Sequence, residues 1–382
     1  MVYTTRDKIA DLFLFLYLVS FPFGQLLRMQ VQFGSNYLAV FPNDIFLFFF
    51  IGFAGLKLKT LKPLRAFFSV VLFSYLLNYF IYNFSPMPGL GYVVRLFTYL
   101  VFWFSAADFT KRKKLTPTVQ NLVIAILTAV SIFGWLQYLI YPDLRFLFAY
   151  GWDDHLNRLA GTFFDPGFTG LLLCFGFIVC LVNFLHSKKK IYGFLAGVFL
   201  VSVGFTYSRA SILALAVSLV FVLVKFKKYF LIVVGILVIL MGIYFLPKKQ
   251  GQGTNLTRLY SINLRLENYQ QTFAVFSENP VFGVGYNNLC QTKNTKENSS
   301  HACSGADNSI LFIASTLGVF GLFALIYFLY LVMNATAANN QGIIFLTFLV
   351  ALFVHSQFVN SIFYPWVLGV LGLQYAISRK ED

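Results

Sequence analysis

Charge is scarce in this chain, and acidic charge most of all. Asp, Glu, Lys and Arg make up 11% of its 382 residues, against about 25% in soluble globular proteins. Beside 58% hydrophobic residues, that deficit excludes both a water-soluble domain and a disordered chain. Cysteine is scarce too. Four residues cannot frame a disulfide-built domain, and Cys174 and Cys180 fall in an apolar run where small buried hydrophobes are expected. There is no phosphate-loop lysine motif, no His-Glu-x-x-His and no Cys-x-x-Cys. The carboxylates lack the Asp-x-Asp spacing of a divalent-ion site. No metal and no cofactor are expected.

What the chain has in excess is phenylalanine, 48 residues in runs such as 45–52 (IFLFFFIG), more than one soluble core buries. A membrane span needs roughly 20 apolar residues. About twelve stretches qualify: 9–27, 38–56, 66–84, 90–109, 119–140, 161–185, 191–207, 210–224, 229–246, 308–332, 342–359 and 361–378. The expected fold class is all-α, a polytopic membrane protein forming a single integral membrane domain over 1–382. The first apolar run lacks a small-residue cleavage site and reads as a retained helix.

Basic clusters at 6–8, 57–65, 111–114, 188–190, 225–228 and 379–380 fall at every second loop. By the positive-inside rule those loops and both termini are cytoplasmic. The net charge of +15 then reports topology, and no nucleic-acid partner is implied. The polar surface on the other side is concentrated in 141–160 and in a long loop, 247–306, between the ninth and tenth spans. Chemistry is therefore expected on the outer face.

Arginines dominate those loops. Arg158 runs into the sixth span, and Arg209 joins two spans in a tight Ser-Arg-Ala-Ser turn. Arg265 falls in a stretch of about 258–279 whose Leu259, Ile262, Leu266, Tyr269, Phe273 and Phe276 repeat at helical spacing. Such an amphipathic helix would rest on the membrane surface. Arg95 and Asp44 lie inside spans, where an ion pair and a ligand-binding role weigh about equally. Several guanidinium forks on one face suit phosphate or pyrophosphate. Candidate bases are few: His301 and Asp307 before the tenth span, then His155 and His355, with Glu267, Glu278 and Glu297 as further outer carboxylates. Asp307 is also a plausible helix N-cap. Trp152 and Tyr286 suit either sugar stacking or interface anchoring. Cys290 and Cys303, thirteen residues apart, could pair in an oxidising envelope.

Four stretches carry a resemblance: 158–173 (RLAGTFFDPGFTGLLL), 207–213 (YSRASIL), 265–286 (RLENYQQTFAVFSENPVFGVGY) and 307–322 (DNSILFIASTLGVFGL). In order and spacing they resemble the O-antigen ligase and O-antigen polymerase superfamily of bacterial envelope glycosyltransferases, over roughly 150–330. The resemblance implies a helical membrane glycosyltransferase (GT-C-like) fold in the bacterial cytoplasmic membrane. It implies an undecaprenyl-diphosphate-linked oligosaccharide donor held by outer arginines, a glycan acceptor, a membrane-lipid setting and no metal, and it leaves room for a chain-length regulator as partner. Arg158, Arg209 and Arg265 match the superfamily's arginine positions, with Arg95 as a further candidate. Where the superfamily often has His-Asn, this chain has Asp307-Asn308, so the catalytic base is Asp307 or His301. That substitution leans towards polymerase over ligase. A lipid-linked oligosaccharide flippase is the reading from another class, but transporters place polar residues near the midplane and often show internal repeats.

Overall fold

The computed structural model describes residues 4–33, 36–82, 89–249, 251–292 and 305–380. Helices α1 (Thr5–Ser20), α2 (Pro42–Ala54), α3 (Arg65–Tyr82), α4 (Gly89–Lys113), α5 (Thr116–Ile140) and α6 (Pro166–Ser187) form the first half. Helices α7 (Lys190–Phe205), α8 (Arg209–Lys225), α9 (Tyr229–Phe245), α10 (Tyr260–Glu278), α11 (Leu289–Thr292), α12 (Ser309–Asn334), α13 (Asn340–His355) and α14 (Pro365–Ser378) follow. The architecture is that of an all-α polytopic membrane protein. One departure is the antiparallel hairpin of β1 (Met29–Phe33) and β2 (Asn36–Val40), in register from Met29 opposite Val40. The sequence places a span from 38, but β2 keeps the chain extended until Pro42 starts the helix.

Among the described residues six helices are long and apolar enough to cross a membrane, and α2, α7, α9, α13 and α14 are shorter apolar helices. Burial sorts them. Helix α6 is apolar all round and buried along most of its length, as a central helix must be. Helix α9 is as apolar but buries only Ile239 and leaves Phe230 and Tyr244 79% exposed, the pattern of a lipid-facing edge.

The two ends of the bundle differ. At the lysine-rich end, Asp7 pairs with Arg112 at 3.1 Å and Lys113 at 2.6 Å, and Arg379 pairs with Asp108 at 3.1 Å. The other end is made by helix starts. Asp165 caps α6 by accepting from the Phe168 N–H at 2.8 Å, and Ser208 caps α8 by accepting from Ser211. Helix α10 reaches this end through the turn after it. The N–H groups of Val284 and Gly285 donate to the Ser315 and Thr316 carbonyls at 3.0 and 2.9 Å, where Gly318 (φ +66°) breaks α12. A Cβ on Gly283 would meet the Thr316 carbonyl carbon at 2.3 Å, and one on Gly318 the Val281 oxygen at 2.1 Å. Both positions need glycine for that approach as well as for φ.

Candidate functional site

Four arginines converge where the starts of α8 and α10 meet the loop before α6. Arg158 is buried and donates from Nε to the Thr206 carbonyl at 3.0 Å and from Nη2 to that of Tyr207 at 3.4 Å. Arg209 donates to the Arg258 carbonyl at 3.0 Å and to the Ser261 hydroxyl at 2.8 Å. Arg258 in turn donates to the carbonyls of Gly253 and Asn255 at 2.7 and 2.9 Å. Arg265 lies on the inward face of α10. Among the described residues none of the four pairs with a carboxylate. Carbonyls fix the geometry of Arg158, Arg209 and Arg258, and Asp165 and Asp153 offset the Arg158 charge only in part and through space. Burial, then the charge of Arg258, lowers the Arg158 pKa to about 9, while burial and the charges of Arg209 and Arg265 lower that of Arg258 to about 10. Both stay protonated at neutral pH. An anion is what such a cluster lacks.

Beside Arg209 and Arg265 lies a groove of about 350 Å³, otherwise lined by Leu213, Ile262, Leu266, Tyr269 and Phe358. Its makeup, two guanidinium groups over an apolar floor, suits an anionic head on a hydrophobic tail. Helix α10 presents the reverse of a soluble amphipathic helix: Arg265, Asn268, Thr272 and Val275 face the protein, while Leu259, Leu266 and Phe273 are more than half exposed. Tyr269 departs from the apolar stripe, turning inward to donate its hydroxyl to the Gln357 carbonyl.

Asp307 is tied to the same groove. Its backbone N–H donates to Asn268 Oδ1 at 2.9 Å, one turn beyond Arg265 on α10, and its charge reaches the Tyr269 phenol. The helix cap expected of Asp307 belongs instead to Asn308, whose Oδ1 accepts from the Ile310 and Leu311 N–H groups at 2.8 and 3.1 Å. Asp307 is therefore not needed for capping. His301, the other candidate base, lies outside the described residues, as do Glu297 and Cys303. Cys290 is disulfide-bonded.

Arg95 corrects the expected arginine set. It does not join the other three. Its guanidinium pairs with Asp44 at 2.8 Å, donates to the Ala39 carbonyl, and lies over the rings of Phe41 and Tyr92. An ion pair locks the hairpin and α2 to α4, the alternative that spacing alone left open.

That pair borders a second cavity, about 290 Å³ and rich in aromatic rings, formed where six helix ends meet. His155 lines it, 6% exposed. Burial first, then the charges of Arg158 and Arg258, lowers its pKa to about 3, so the imidazole is neutral at neutral pH. Donor atoms of Asp153, His155 and Asp165 lie within 4.8 Å of one another, a grouping that linear spacing concealed. Arg158 and Arg258 bear on the same histidine and would oppose a cation there, so no metal is assigned to it. His355 is a packing residue, buried with Nδ1 and Nε2 at 2.6 and 3.2 Å from the hydroxyls of Ser361 and Ser211. Sequence reasoning passed over Arg258, although its place seven residues before Arg265 in an arginine-poor loop was a usable signal.

A family model described as O-antigen ligase matches residues 194–326. The match bears out the resemblance to the O-antigen ligase and polymerase superfamily and covers Arg209, Arg258, Arg265 and Asp307, while Arg158 precedes it. It indicates an O-antigen ligase/polymerase-type function. No curated protein matches the chain.

Proposed function

We propose that this chain, O-antigen ligase/polymerase-like by its matched segment, is an inverting, metal-independent glycosyltransferase that polymerises lipid-diphosphate-linked oligosaccharide repeat units. The observation that carries the reading is the cluster of Arg158, Arg209, Arg258 and Arg265, without a carboxylate partner among the described residues, beside an apolar groove. Arginine forks bind diphosphate oxygens in pairs, and the groove accepts the first part of an undecaprenyl tail. The topology proposed with it has twelve spans, both termini cytoplasmic and the arginine-bearing end outside.

In the proposed reaction the Asp307 carboxylate takes the proton of an acceptor hydroxyl. The oxygen attacks the anomeric carbon of the donor sugar from the face opposite the diphosphate. The bond from that carbon to the phosphate oxygen breaks, and the leaving diphosphate keeps the electron pair. Its charge grows by one, and the arginines, of which Arg158, Arg209 and Arg258 are already held by backbone carbonyls, meet that charge with little reorganisation. They supply the positive charge that a divalent ion supplies elsewhere. His301 is the alternative base. Because the matching family model is described as O-antigen ligase, transfer to lipid A-core or protein is the second reading.

Purified protein incubated with a lipid-diphosphate oligosaccharide tests the proposal. Chain elongation supports a polymerase and transfer to a second acceptor a ligase. Protein-dependent movement of the lipid across a vesicle without turnover would replace both with a transporter.

A further inference from the structure

The aromatic cavity has a lining that the protein itself leaves unsatisfied. Trp366 is 1% exposed and His155 6%, yet among the described residues the Trp366 Nε1 and both ring nitrogens of His155 have no hydrogen-bond partner. Three further buried atoms in the lining share that condition: Arg28 Nε, Asn287 Nδ2 and Asn360 Oδ1. An unmet buried polar group costs about 1–3 kcal/mol, so five residues of this kind around one cavity point to a ligand that meets them.

The chemistry of the lining narrows its class. With Arg95 neutralised by Asp44, Arg28 faces Asp153 and Asp165, so unlike the all-cationic arginine cluster this lining has no excess positive charge for an anion and suits a neutral occupant. Donors (Arg28, Asn287, Trp366), an acceptor (Asn360) and the neutral His155, which offers one of each, line it together, which suits hydroxyls, since each both donates and accepts. Trp152, with Arg28 5.5 Å from its ring centroid, and the stacked Phe168–Tyr364 pair supply flat apolar surface for the C–H faces of a ring. The volume is at the lower end of the ~300–1,000 Å³ usual for ligand pockets. Arg158 acts electrostatically on both His155 and Asp165, so the cavity adjoins the arginine cluster.

We infer that this cavity binds a neutral pyranose unit of the glycan, held by Trp366, His155, Asn360, Asn287 and Arg28. The inference rests on the transferase reading for its source of sugar, but not for the binding itself. It makes the cavity a glycan subsite separate from the diphosphate groove.

The probe is the free oligosaccharide released by mild acid from the host's own lipid-linked pool, carrying neither lipid nor phosphate, offered to wild-type protein in nanodiscs and followed by saturation-transfer NMR. Saturable binding is expected. Asn360→Ala and Trp366→Phe, each checked for an unchanged thermal transition, should weaken it about tenfold, the worth of one or two buried hydrogen bonds. Arg265→Lys, impaired in transfer, should bind the free glycan as wild type does. Absence of saturable binding, or wild-type binding by both cavity variants, overturns the subsite. Binding as expected from a protein that transfers nothing leaves the subsite standing and removes the transferase reading instead.

Discussion

Arg95, half-buried, and Arg158, buried, lie at the same end of one bundle, and they are satisfied in opposite ways. Arg95 meets Asp44 at 2.8 Å, whereas among the described residues Arg158 hydrogen-bonds the carbonyls of Thr206 and Tyr207 and feels Asp165 and Asp153 only through space. The lysine-rich end repeats the first pattern, with Arg112 and Lys113 on Asp7 and Arg379 on Asp108. A cation closed off by a carboxylate has its counter-charge and acts as a brace. One oriented by carbonyl dipoles keeps its charge for something else. Removing the first kind should damage the fold, and changing the second should damage function.

The largest effect is expected at Asp307. Because Asn308 caps α12, Asp307→Asn should leave the thermal transition unchanged and lower the transfer rate by about 10²–10⁴-fold, the usual worth of a general base. Wild-type activity would move the role to His301. Next come Arg158→Lys, Arg209→Lys and Arg265→Lys, which keep the charge and lose the fork. Each should insert normally and slow transfer by about 10²–10³-fold, the scale set by loss of one preorganised donor to a developing anion. Full activity in all three would erase the contrast with Arg95.

The brace makes the opposite prediction. Asp44→Asn strands a buried guanidinium and should cost about 3–5 kcal/mol of stability, read as a lower unfolding temperature, while protein that remains folded still transfers. A smaller effect is expected at His155. Its folded pKa of about 3 lies below the ordinary 6.5, so below pH 6.5 the unfolded chain takes up a proton that the folded chain refuses. Stability should therefore fall as pH drops from about 6.5 towards 3, and His155→Gln should flatten that acid limb. An unchanged limb would mean that the imidazole is hydrated in the folded protein.

The two regions were unequally legible in the sequence. A helix lies at each of the long apolar runs because lipid demands a length and a composition that a linear pattern records directly. Arg158, Arg209 and Arg265 could be singled out because charged residues are rare in this chain, the first two bordering apolar runs and the third falling in an amphipathic stretch. Which of them have counter-ions is a matter of tertiary contact. Asp44 and Arg95 are 51 residues apart, and nothing local marks them as a pair. Asp307 and Asn308 are both good caps, so only the geometry at the start of α12 separates them. Asp153, His155 and Asp165 read as ordinary loop residues until the chain folds one on another.

The central claim, that the arginines without a carboxylate partner bind a diphosphate, is tested most directly by binding of undecaprenyl diphosphate, without any sugar, to the protein in nanodiscs by native mass spectrometry. Wild-type protein should retain one lipid diphosphate, and a variant carrying Arg158→Lys, Arg209→Lys and Arg265→Lys should lose it while still holding neutral lipid. Equal retention of the diphosphate by both proteins would contradict the account.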